Sequence, residues 1–136
     1  MVGELLKLWD ANNIIEAVLI KATEIEVKLS IAVVDPGGHL IAMNRMDGAP
    51  WGDIDFAINK AYSSVAWRTH TENLAEDSKP TGPYYGMHFS NQLKVVTFCG
   101  GAPLYKENDL VGGLGVSGGR IEEDRTCLVA GLNVFK

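Results

Sequence analysis

Asp35-Pro36-Gly37-Gly38 separates two runs of apolar, β-prone residues, LSIAVV before it and HLIAMN after it. Proline presets one backbone angle and glycine accepts positive φ, so these residues close a tight hairpin. A hairpin makes its strands antiparallel, which puts an antiparallel sheet at the heart of the fold. The two strands are expected at about 29–35 and 39–44.

The rest of the chain supplies helices to cover such a sheet. Residues 4 to about 27 place Leu5, Leu8, Asn12, Ile15, Val18, Leu19, Ala22 and Ile25 at three- and four-residue steps, the mark of an amphipathic helix. Asn12-Asn13 is the point where it would kink or restart. Asp53 is the expected N-cap of a second helix carrying Ile54, Ala57, Ile58, Ala61 and Val65, with small residues on its inner side. A short helix near Thr71–Glu76 precedes a long loop, residues 77–92, rich in Pro, Gly and aromatics. Loops of that length in compact domains are usually functional or mobile. Three further strands fit at about 93–99, 102–106 and 110–117, and a last helix at about Ile121–Val134. The order α-β-β-α-α-β-β-β-α predicts one α+β domain over residues 1–136. Its expected form is a profilin- or PAS-like five-stranded antiparallel sheet covered by helices.

Composition narrows the function classes. The 136 residues are 46% hydrophobic and carry a net charge of −5. An acidic chain with no Lys/Arg cluster lacks the footprint of a nucleic-acid binder. The apolar runs fall far short of the roughly 20 residues that span a bilayer. The N-terminus, MVGELLKLWDANN, has no secretory pattern. Cys99 and Cys127 form no CxxC or zinc pattern and read as reduced, buried thiols, so the expected location is the cytoplasm.

The segment Gly112 to Gly119 runs from a strand into the last helix. Backbone amides at such a junction, with the positive end of the helix dipole, can cradle an anion; otherwise the glycines only turn the chain. Gly100-Gly101-Ala102-Pro103 is a second glycine-rich turn with the same two readings. Arg45 offers a planar fork for a carboxylate, or it pairs with Asp47 or solvent. Lys60 either reaches a ligand or, more simply, snorkels to water. His39, His70 and His88 have no spacing that would clamp a metal. His88 stands among Tyr84, Tyr85, Met87 and Phe89, side chains suited to stacking on a flat ligand.

Val33 to Leu40, Arg45 to Ala49, Lys60-Ala61, Gly100 to Leu104 and Val111 to Gly119 together resemble the GlcG/HbpS family, in order and spacing over nearly the whole chain. The resemblance implies a profilin-like fold, homo-oligomers and, in several members, haem binding, with haem degradation proposed for some. It carries over Arg45, Asp47, Lys60, Thr71, Gly101, Pro103, Gly115, Val116 and Gly118 as ligand-pocket candidates. One type of member is described as ligating haem through a histidine early in the chain, and residues 4–27 here contain none. No axial ligand is therefore carried over from the family; His88, His70 and His39 are read from the sequence either as axial ligands or as ordinary surface or hydrogen-bonded side chains.

Three functions are expected in consequence. The first is a binding module for haem or another small anionic ligand, with haem as the cofactor. The second is a lyase, hydratase or tautomerase in which Arg45 holds a small organic acid and Asp47, Lys60 or a histidine moves a proton. The third is an accessory subunit of a diol or glycerol utilisation system.

Overall fold

A computed structural model describes residues 5–135. Helix α1, Leu8–Glu24, runs without interruption through Asn12 and Asn13, both of which face solvent. Its buried face is Ala11, Ile14, Ile15, Val18 and Ala22. Leu5 and Leu8, expected on the apolar stripe, are instead exposed.

Strands β1 (Ser30–Val34) and β2 (Leu40–Arg45) form the expected hairpin. Asp35 organises its turn: one carboxylate oxygen accepts the amides of Gly37 at 2.8 Å and His39 at 2.9 Å. Gly38, at φ +84°, sits where a Cβ would strike the Tyr62 ring.

Helix α2, Gly52–Ala66, begins one residue before Asp53, and its cap position is Trp51. Asp53 is therefore not the N-cap. It lies in the first turn, where its carboxylate accepts the Ser117 hydroxyl at 2.7 Å. A 3-10 turn, Thr71–Leu74, and a single helical turn α3, Ala75–Ser78, occupy the place of the expected short helix.

Strands β3 (Gly101–Lys106) and β4 (Asp109–Ser117) complete a sheet ordered β2-β1-β4-β3, antiparallel throughout. The sheet has four strands, not five. Residues 93–99 do not join it, for two reasons. Asn91, Gln92 and Leu93 all have positive φ, at 53°, 59° and 65°, a conformation no strand can propagate. Beyond them the chain bonds to α2 instead of to a ladder. Pairing with β4 resumes only at Gly100, whose carbonyl accepts the Val116 amide.

Helix α4, Ile121–Val134, lies with α1 on one face of the sheet. Between these helices and the sheet lies a core that includes Ile14, Val18, Leu29, Ile31, Val33, Leu104, Leu114, Val116 and Cys127. Helix α2 covers the other face at very close range. A Cβ on Gly115 would come within 1.9 Å of the Ala57 carbonyl, and one on Gly113 within 2.7 Å of the Ala61 carbonyl. These glycines of β4 let a helix backbone lie directly on a strand backbone. Among the described residues no helix is long and apolar enough to cross a membrane.

Candidate functional site

Most of the expected pocket residues converge, but on an interior that the chain itself fills. Lys60 projects from α2 and is 1% exposed, so it does not snorkel to water. Its ammonium donates to the Val116 carbonyl at 3.0 Å and the Ser117 hydroxyl at 3.2 Å, and meets Asp124 Oδ2 at 3.5 Å. Burial pushes the Lys60 ammonium below its ordinary value, against the attraction of Asp124. Burial likewise raises the Asp124 carboxyl, against the pull of Lys60 and of the Gly119 amide.

The amides at the junction of β4 and α4 are not open to a ligand. Asp124 Oδ1 accepts the Gly119 amide at 2.8 Å, and Glu123 accepts that of Arg120 at 2.8 Å. Helix α4 thus caps its own start with carboxylates from its first turn. The expected anion cradle is filled from within. The acidic triplet Glu122-Glu123-Asp124 directly after Gly118-Gly119-Arg120 is the signal for this in the sequence.

Thr71 is buried, its hydroxyl accepting the Gly101 amide at 2.9 Å. Gly101 is pressed against the Lys60 carbonyl and the Thr71 methyl. Pro103 pairs with Gly113 across the β3–β4 ladder, and Gly115 lies under Ala57. Val116 belongs to the core on the opposite face. Gly118 packs on the backbone of Lys28 and Leu29.

Arg45 and Asp47 lie elsewhere. With Leu19, Lys28, Met43 and Met46 they line an open groove of about 620 Å³ that does not include Ser117–Gly119. Arg45 on β2 and Ser117 on β4 both pair with Ser30 of β1, so they stand two strands apart in one row of the sheet, and the groove at Arg45 does not extend to the bend. Among the described residues Arg45 forms no ion pair with Asp47 or any other carboxylate.

A second cavity, of about 730 Å³, opens on the outer side of α2. Helix α2 contributes Phe56 and Asn59, residues 93–98 supply Leu93, Val95, Val96 and Phe98, and the aromatic loop closes it with Pro80, Tyr85 and His88. Phe56 and Phe98 meet edge to face with centroids 5.3 Å apart, and the buried Lys60 ammonium lies 5.0 Å from the Phe98 ring. His88 is held between Tyr85 and Phe89, at 5.8 and 4.3 Å between centroids. Lys79, on the same wall, pairs with Glu76. The loop is legible in the sequence as a candidate lining; the contributions of Phe56, Phe98 and the Val95-Val96 floor are not. His39 is bonded to Asp35 in the hairpin turn, and His70 precedes the 3-10 turn, its carbonyl accepting the Asn73 amide. Neither lines this cavity. Among the described residues no three His, Cys, Asp or Glu side chains group as a metal site.

A four-stranded antiparallel sheet with helices on both faces, and an aromatic cavity outside the single helix of one face, defines an α+β domain of a particular kind. Residues 6–133 match the family described as haem degrading protein HbpS-like, and the chain belongs to that family. It is 37% identical over 130 residues to an uncharacterized 15.0 kDa protein of the dhaT–dhaS intergenic region of Citrobacter freundii, covering 96% of this chain and 92% of that one. The Klebsiella pneumoniae protein ORFY superposes with a TM-score of 0.96 at 32% identity, over 99% of this chain and 93% of its own. PduOC, solved as a complex with haem, superposes at 0.92 with 32% identity, over 96% and 94%. Haem binding is thereby supported at the level of the family.

Proposed function

We propose that this protein binds haem, or a closely related tetrapyrrole, in the cavity between α2 and the aromatic loop. The observation that carries the reading is the position of His88, an imidazole set into the wall of an otherwise largely aromatic and aliphatic cavity. A volume of about 730 Å³ falls in the range of small-molecule and cofactor sites. Phe56, Phe98 and Tyr85 offer ring surfaces to a flat macrocycle. His88 would hold the iron, and Lys79 at the wall would meet a propionate in exchange for its exposed partner Glu76. The relative solved with haem supports the choice of ligand. Titration with hemin tests it: a saturable Soret shift is expected, and its absence at micromolar protein would remove the reading.

The pocket candidates around Lys60 keep a role in this reading, as the packed support of the cavity wall: Lys60 underlies Phe98. The exposed Trp51, Phe89 and Leu93 beside the cavity favour pairing between copies of the chain, which mass measurement in solution would detect.

A second reading rests on the other groove. Arg45 and Lys28 line it together with one carboxylate, Asp47, so a small organic acid would be held there by two cations beside an acidic side chain that can move a proton. Turnover of hydroxy- or oxo-acids that falls in Arg45→Ala would support an enzyme; an unchanged rate would remove it.

A further inference from the structure

The strap from Leu74 to His88 has two sides, and the second faces another cavity. Ser78, Tyr85 and His88 line the proposed haem cavity, while their chain neighbours Asp77, Tyr84 and Met87 line a separate one of about 390 Å³, completed by Leu74 and by Trp67 at the end of α2. The strap is fixed by its own backbone. The Tyr84 amide donates to the Asp77 carbonyl at 2.8 Å, the Met87 amide to the Tyr84 carbonyl at 3.0 Å, and the Gly82 amide to the Lys79 carbonyl at 2.7 Å. Gly82 sits so close to the Asp77 carbonyl that a Cβ would fall 2.3 Å from it. The backbone that carries Asp77, Tyr84 and Met87 is therefore held by the strap's own hydrogen bonds.

Its chemistry is opposite to that expected of a haem pocket. Two aromatic rings, a thioether and a leucine line it with a single charge, the exposed carboxylate of Asp77, and among the described residues no Lys, Arg or His lines the cavity. That carboxylate has no hydrogen bond or ion pair among the described residues. Aromatic faces attract cations, and a nearby unpaired carboxylate adds to the attraction while disfavouring anions. We propose that this cavity is a second ligand site, for a small organic cation of the quaternary or alkylated ammonium class. Trp67 and Tyr84 provide the ring faces and Asp77 the counter-charge.

The test uses the full chain carrying Trp9→Phe and Trp51→Phe. Both replaced indoles are exposed, at 74% and 80%, and the changes leave Trp67 as the sole reporter. Choline is titrated against dimethylbutanol, its neutral carbon isostere, with Trp67 emission as the readout. A saturable response to choline is expected, with the neutral isostere weaker by roughly tenfold. Asp77→Asn is expected to weaken choline by a similar factor, and Asp77→Glu to keep it. The Asp77 carboxylate takes no part in the hydrogen bonds of the strap, so the variants retain the wall. Equal response to the two probes, unchanged binding in Asp77→Asn, or no saturable response to choline would overturn the proposal. Because hemin titration is read at the Soret band, failure of this site and failure of the haem site are separate results.

Discussion

The Ser63 hydroxyl on α2 accepts the Val96 amide at 2.9 Å and donates to the Lys94 carbonyl at 3.1 Å. One buried side chain thus does for residues 94–96 what a neighbouring strand would otherwise do, and so fixes the floor of the proposed haem cavity. Ser63→Ala leaves a buried amide unsatisfied, a loss of about 1–3 kcal/mol. Hydrogen exchange at Val96 is expected to accelerate sharply in this variant while β1 and β4 stay protected. Unchanged protection at Val96 would mean that the floor is held by packing alone.

Lys60 and Asp124 tie α2 to α4 through the interior, at 3.5 Å. Removing one charge strands the other, so Asp124→Asn is expected to cost about 3–5 kcal/mol. Lys60→Met with Asp124→Asn removes both charges while the Asn Oδ1 still accepts the Gly119 amide, and it is expected to recover most of that loss. Urea unfolding of the two variants checks this; a double variant no better than the single would place the loss in packing rather than charge.

Gly115 bears on the closest approach of α2 to the sheet, with a Cβ placed 1.9 Å from the Ala57 carbonyl. Backbone cannot yield as a side chain can, so Gly115→Ala is expected to cost about 3 kcal/mol or more or to prevent folding. A Cβ on Gly52 would meet nothing within 4 Å, and Gly52→Ala should be near neutral in the same denaturation assay. Equal stability of the two variants would contradict the close approach.

Burial pushes the Cys127 thiol from 9.0 up to about 11. Well below pH 9 it is protonated in both folded and unfolded chains and adds no slope. Above that, the unfolded chain releases the proton while the folded one keeps it, so stability falls as pH rises toward 11. The expected fall is up to roughly 2–3 kcal/mol, read as the difference in pH slope between the parent and Cys127→Ala. Equal slopes would contradict the raised value.

The hairpin at Asp35–Gly38, the last helix from Ile121 to Val134, and the β3–β4 meander are legible in the sequence because turn residues and periodicity are local signals. The fifth strand misleads for a matching reason: Leu93 to Cys99 has the residues of a strand, and the positive φ at Asn91–Leu93 together with the tertiary bonds to Ser63 decides otherwise. Glycines Gly113 and Gly115 announce a close approach, but the partner is Ala57 and Ala61 rather than a ligand. The site divides the same way. His88 and its aromatic neighbours are contiguous and visible in the sequence, whereas Phe56 and Phe98 are 42 residues apart in the chain and meet only when α2 is laid on residues 93–98. Asp124 escapes a sequence reading since nothing local says that its carboxylate turns back to Lys60.

Hemin titration of the parent and of His88→Ala, followed at the Soret band beside His39→Ala as a control, asks directly whether the His88 ring meets a haem held beside Phe56 and Phe98. A saturable five- or six-coordinate spectrum is expected in the parent and in His39→Ala, and a changed coordination spectrum with weakened affinity in His88→Ala. Identical spectra and affinities for all three proteins would contradict ligation of the iron by His88.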